Sequence, residues 1–258
     1  MKSKLLCALV GAVLLAFTVL VFCQQPSPAL LTVGRVQVRS GQVQEFLEVS
    51  KQVADAIKKA APTDYFTLTY RTAVGNSNEF WRVTPLNKFA DRDGQSPVAK
   101  MMTPELAALM TRGSQYVERT VTTIERPIRD LAVTASGAKT PPIFIKVYRT
   151  RVKPGMAEQF ISLLKTDIMP AIKKMNGSMR IRQVEMGGNT NDFTGSFPFE
   201  KWAEQDDSAS FTKAMGGEEA VRKFAERMSQ IEAGTEVIVI RYVPELSYFP
   251  ASTAAPGR

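Results

Sequence analysis

The chain has 258 residues, 44% of them hydrophobic and 22% charged, which is enough to bury a core as one large domain or two small ones. Its formal charge of +8 is spread without any block of five or six like charges, so the surface reads as mixed and solvated rather than as a nucleic-acid footprint. There is no histidine, which excludes a Ser-His-Asp triad, a histidine-ligated haem and histidine-bearing zinc sites.

Both cysteines, Cys7 and Cys23, belong to an N-terminal apolar run, Leu5 to Cys23, preceded by Lys2 and Lys4. The rest of the chain therefore has no disulfide, thiol nucleophile or thiolate metal site. A basic start, an apolar run and a polar Gln24-Gln25 exit make residues 1–25 a signal peptide or N-terminal membrane anchor. Leu20-Val21-Phe22-Cys23 also has a faint lipoprotein-box character, with Phe22 large for its position. Each of the three places the body outside the cytoplasm, periplasmic or secreted.

Ala29 to Val38 reads as a strand, and Gln42 to Ala60 as a helix with Val43, Phe46, Leu47, Val53, Ala54 and Ile57 on one stripe. Pro62 ends it. Strands are expected over Tyr65–Thr72 and Glu79–Val83, a helical turn over Leu86–Asp91, a helix from Thr103 to about Gln115, and a strand over Val117–Arg126. Residues 132–142, with Ala135-Ser136-Gly137-Ala138 and Pro141-Pro142, form the linker. The same order then returns: strand Ile143–Val152, a helix from Met156 to about Lys174, strands Met179–Met186 and Asp192–Phe197, a helical segment Glu200–Asp206, helix Glu218–Glu232 and strand Thr235–Val243.

Residue identities follow that order. Val38, Gly41 and Phe46 recur 114 positions on as Val152, Gly155 and Phe160. Ala56-Ile57-Lys58-Lys59 recurs 115 on as Ala171-Ile172-Lys173-Lys174, and Asn78 and Phe80 recur 113 on as Asn191 and Phe193. The body is an internal duplication: a first ferredoxin-like repeat over 29–131 and a second over 143–247, with 248–258 as a disordered tail. Each repeat is β-α-β-β-α-β. Strands apolar on both faces, such as Val237-Ile238-Val239-Ile240, need cover on the side away from the helices. The expected fold is therefore α+β, two tandem ferredoxin-like repeats packed sheet to sheet as an intrachain pseudo-dimeric α/β barrel.

Val152-Lys153-Pro154-Gly155 before a helix, Ile168-Met169-Pro170-Ala171 near its end and Glu200-Lys201-Trp202 after the third strand resemble the dimeric α/β-barrel superfamily. The likeness is to its NIPSNAP-like and antibiotic-biosynthesis-monooxygenase-like domains, over roughly residues 30–246. The resemblance implies a cavity between the sheets that takes a small, often aromatic molecule, or haem in branches that supply histidine, which this chain lacks. It carries over no catalytic residue.

The candidate ligand-binding side chains are Tyr70, Trp81, Tyr148, Arg149, Arg180 and Arg182, polar or amphipathic residues in otherwise apolar strands, where burial demands a partner. The arginines suit a carboxylate or enolate, and the aromatics suit stacking. The plainer alternative is that they face solvent or pair with helix carboxylates. Asp91-Arg92-Asp93-Gly94 begins like a calcium loop, but Met102 stands where the closing glutamate belongs, so a turn is expected and no metal. No cofactor is expected. The expected partners are a small apolar or aromatic molecule and a second copy of the chain, with no nucleic acid and membrane contact only through an uncleaved N-terminal segment. The alternatives are a cofactor-independent monooxygenase or isomerase, and a non-enzymatic structural or assembly module.

Overall fold

Alternation along the first strand decides the architecture. In β1 (Leu30–Val38), Val36 and Val38 pack towards the helical layer, while Val33 and Arg35 point the other way, into a common interior. The computed structural model describes residues 28–138 and 141–249. The expected leader, 1–25, and most of the expected tail lie outside the described residues. Within them no helix is long and apolar enough to cross a membrane.

The first repeat continues through α1 (Val43–Ala60), β2 (Leu68–Val74), β3 (Glu79–Leu86), the short α2 (Pro97–Lys100), α3 (Pro104–Ser114) and β4 (Val117–Val133). The apolar stripe of α1 buries Phe46, Val49, Ala54 and Ile57. The Phe46 ring lies 5.0 Å from that of Phe80 on β3. The helix stops at Ala61, whose φ of 44° is left-handed, and Pro62 prevents resumption. Thr103 caps α3 by accepting the Leu106 N–H, with Pro104 at the first helical position.

The second repeat comprises β5 (Phe144–Val152), α4 (Ala157–Leu163), a π-turn (Leu164–Ile168), α5 (Met169–Lys174), β6 (Met179–Met186), β7 (Asp192–Phe199), α6 (Ser208–Met215), α7 (Glu218–Ile231) and β8 (Glu232–Tyr242). The π-turn explains why the repeat spacing slips from 114 at Phe46/Phe160 to 115 at Ala56/Ala171. One extra residue has entered the helix, and the wider turn absorbs it without rotating either flank off the core. Phe160, Leu163, Leu164, Ile168 and Ile172 all stay buried.

The eight strands close into a barrel in the order β1-β3-β2-β8-β5-β7-β6-β4. Each repeat supplies a four-stranded antiparallel sheet, and the sheets join edge to edge through β2·β8 and β4·β6. The expected barrel is present. Several local expectations change. β4 does not stop near Arg126 but runs to Val133, because its second half pairs with β6 of the other repeat and buries Leu131 completely. The expected helical segments after β3 and β7 are short 3-10 turns, Phe89–Arg92 and Trp202–Gln205. Each is closed at its start by a carboxylate: Asp91 accepts the Lys88 N–H and Glu204 the Lys201 N–H. α2 and α6 follow them, unanticipated, because both are too short to show a period. The tail expected from 248 begins packed: Tyr248 donates its hydroxyl to the Pro62 carbonyl at 2.7 Å, and Phe249 meets Phe66 edge-on at 4.4 Å.

Candidate functional site

Because side chains alternate, the residues that face the barrel interior can be read from the strand register. Arg35 of β1, Trp81 of β3 and Tyr70 of β2 lie directly across from one another, and Tyr242 of β8 continues the row. In the second repeat Arg149 of β5, Thr194 of β7 and Arg182 of β6 make the equivalent row. Arg35 and Arg149 are 114 positions apart and repeat-related. Trp81 answers to Thr194 and Tyr70 to Arg182, so one half presents aromatic rings where the other presents polar groups.

A cavity of about 520 Å³ occupies one end of the interior. Trp81, Val121, Thr123, Glu125, Val184 and Thr194 form its inner wall, and Arg35, Arg149 and Glu236 lie nearer the mouth. The mouth is where Gly187, Asn189 and Gly234 are exposed. Gly187, at φ +79°, passes so close to the Thr122 carbonyl that a Cβ there would lie 2.1 Å from its oxygen.

Most ionic groups of the cavity are matched in pairs. Glu125, buried, accepts from Arg182 Nε at 2.8 Å and from the Thr123 hydroxyl at 3.1 Å. Arg149 Nη1 donates to Glu236 at 2.5 Å. Arg151 makes a two-point contact with Asp192 at 2.7 and 2.9 Å. Arg35 differs. Its guanidinium stands 5.5 Å from the Trp81 ring centre and 3.8 Å from Glu79, beyond hydrogen-bond reach. Burial pushes its pKa down, and the Arg149 charge pushes it further the same way. The buried Trp81 Nε1–H has no acceptor among the described residues.

Of the six residues expected at a site, Trp81 and Arg149 line the cavity. Arg182 acts behind it, through Glu125. Tyr70 is buried in the apolar cluster with Trp81, Val147 and Ile240, where burial holds its phenol well above the ordinary range. Arg180 shares the face of Arg182, as expected, but is exposed and donates to the Thr134 hydroxyl at 3.2 Å. Tyr148 does not join them. It neighbours Arg149 in an extended strand and so points to the opposite, helix-bearing face, edge-on to Phe197 at 5.3 Å. Sequence reasoning missed Arg35, Glu125, Thr194 and Glu236. The lining is also more polar than the expected apolar or aromatic ligand suggests. Among the described residues no group of acidic, histidine or cysteine side chains could hold a metal ion.

No family model and no curated protein matches the chain. Solved structures do. An anthrone oxidase-like protein matches with a TM-score of 0.56 at 11% identity, over 83% of this chain and 91% of that one. A candidate monooxygenase from Lactobacillus acidophilus NCFM matches with a TM-score of 0.53 at 9% identity, over 83% of this chain and 93% of that one. A NIPSNAP domain protein from Burkholderia xenovorans matches with a TM-score of 0.30 at 17% identity, over 37% of this chain and 90% of that one. The expected resemblance stands: the fold is that of the dimeric α/β barrels, with two repeats carried in one chain. At these identities the likeness speaks for the fold alone.

Proposed function

We propose that the protein binds a small molecule in the one-ended cavity of its barrel. The observation that carries this reading is a cavity of about 520 Å³ lined by Arg35, whose guanidinium makes no hydrogen bond among the described residues. A donor left unpaired in a folded interior costs stability unless a ligand or water completes it. The closed barrel also leaves no sheet edge open among the eight strands, which removes the surface a module acting by edge pairing would use. Native mass spectrometry of the full chain, gentle and then denaturing, tests the reading. A small molecule that leaves on denaturation supports it. A clean apo mass, with no thermal shift across a panel of small organic acids, amides and quinones, overturns it.

A second reading is chemical: a cofactor-independent oxygenase working in the same cavity. It draws on the similar structures described as a monooxygenase and as anthrone oxidase-like. Oxygen uptake by the protein with its co-purified ligand tests it, and no uptake above that of heat-denatured protein refutes it. We further place the protein outside the cytoplasm on the strength of residues 1–25, to be tested by fractionating cells that express the full chain.

A further inference from the structure

We propose that the cavity takes a small organic carboxylate, held at its charged end by Arg35 with Arg149 beside it. The inference rests on the cavity being the binding site and adds the chemical class of the ligand.

Arg35 carries it. A guanidinium has five N–H donors, yet Arg35 makes no hydrogen bond among the described residues. The side chain is only 16% exposed, and the cavity it lines gives it its access to solvent. The cations beside it differ, since Arg149 and Arg151 in the cavity and Arg182 behind it each donate to a carboxylate at 2.9 Å or less. The charges that act on Arg35 are Arg149 and Arg119 on one side and Glu79 and Glu236 on the other, so with Arg35 itself the cluster carries one net positive charge. Two repeat-related arginines brought to one cavity repel each other. A carboxylate between them would relieve that repulsion and accept the free donors in a two-point contact.

The rest of the cavity fits an organic acid better than a bare inorganic ion. Val121, Val184 and Trp81 offer an apolar wall for a carbon body beyond the charged end. Glu125 is already engaged by Arg182 and Thr123, so it sets the polarity of the inner wall and does not compete for Arg35.

The test pairs acids with their neutral amides on the full chain: benzoate with benzamide, and 2-naphthoate with 2-naphthamide, by titration calorimetry, with inorganic phosphate as a third arm. The acids should bind at least about 10-fold more tightly than the amides, the loss expected when a charge-assisted contact is removed. Arg35→Gln should lose about 10-fold or more for the acids and leave the amides unchanged. Glu79→Gln should tighten acid binding by removing the competing carboxylate. Unliganded Arg35→Gln should melt within a few degrees of the parent protein, because it gives up only the Trp81 ring contact and the 3.8 Å ion pair with Glu79. A purely structural arginine would lower the melting temperature further on deletion. If Arg35→Gln does not fold, Arg149→Gln repeats the binding comparison, and acids that bind this variant as tightly as the parent overturn the proposal. Amides that bind as well as acids overturn the carboxylate class and leave the cavity reading intact. Phosphate binding equal to that of the acids overturns the organic class. No binding by any arm, with a clean native mass, overturns both.

Discussion

Glu125 of the first repeat and Arg182 of the second meet at 2.8 Å inside the barrel, their side chains 5% and 11% exposed. This pair joins the two halves through charge rather than through backbone. Breaking one side of a buried ion pair strands the other charge, which costs about 3–5 kcal/mol, whereas replacing both with apolar groups is far cheaper. Glu125→Leu and Arg182→Leu should each destabilise strongly in denaturant titrations, and the double variant should recover most of the loss. Additive losses would contradict a coupled pair.

Alkaline pH should weaken the fold. Burial raises the pKa of Tyr65, Tyr70 and Tyr242 in the folded state. A folded state that keeps these protons longer than the unfolded chain has its full stability below the unfolded tyrosine pKa of about 10 and loses it as pH rises beyond. Melting temperatures measured between pH 8 and pH 11 should fall above about pH 10, and Tyr70→Phe should flatten that fall. A Tyr70→Phe profile as steep as the parent's would refute the assignment.

Gly187 should tolerate no side chain. Its left-handed φ and its approach to the Thr122 carbonyl act together, so Gly187→Ala should cost more than about 1 kcal/mol and displace the loop at the cavity mouth. Gly41, equally left-handed but with nothing within 4 Å, is the control, and its alanine variant should cost less. Equal losses at the two positions would make the contact irrelevant.

The π-turn should be removable. Deleting Thr166, an exposed residue within Leu164–Ile168, should bring α4 and α5 into one helical phase with Phe160 and Ile172 still facing the core and a bend left at Pro170, which has no N–H to donate. Deleting Lys51 from the uninterrupted α1 turns every later residue by about 100° and should unfold the repeat. Circular dichroism melts of the two deletions decide the point.

The fold was legible because the duplication writes each element twice and strand Met179–Met186 has the expected bounds. The site was less so, for physical reasons. Arg35 was within reach, since it stands 114 positions before Arg149, at the spacing of Val38 and Val152. Tyr148 and Arg149 both read as site candidates in the sequence, although neighbours in a strand cannot share a face. Glu125 depends on β4 pairing with β6 of the other repeat, a long-range register that no local pattern encodes. Pro127 obscured it further, because a proline argues against a paired central strand, and the register between β4 and β6 does shift there.

Closure of the barrel has a consequence for how the halves recognise each other. Neither half alone can satisfy the edges of β2, β4, β6 and β8, so the connection between β4 and β5 supplies effective concentration rather than shape. Segments 28–138 and 141–249, made as separate polypeptides, would have two ways to assemble. A self-paired first half would set Glu125 against a second Tyr70 where Arg182 should be, leaving a buried carboxylate without its cation. The asymmetry between the two copies therefore acts as a mating code: duplication made the halves alike, and the Glu125–Arg182 contact makes each prefer the other.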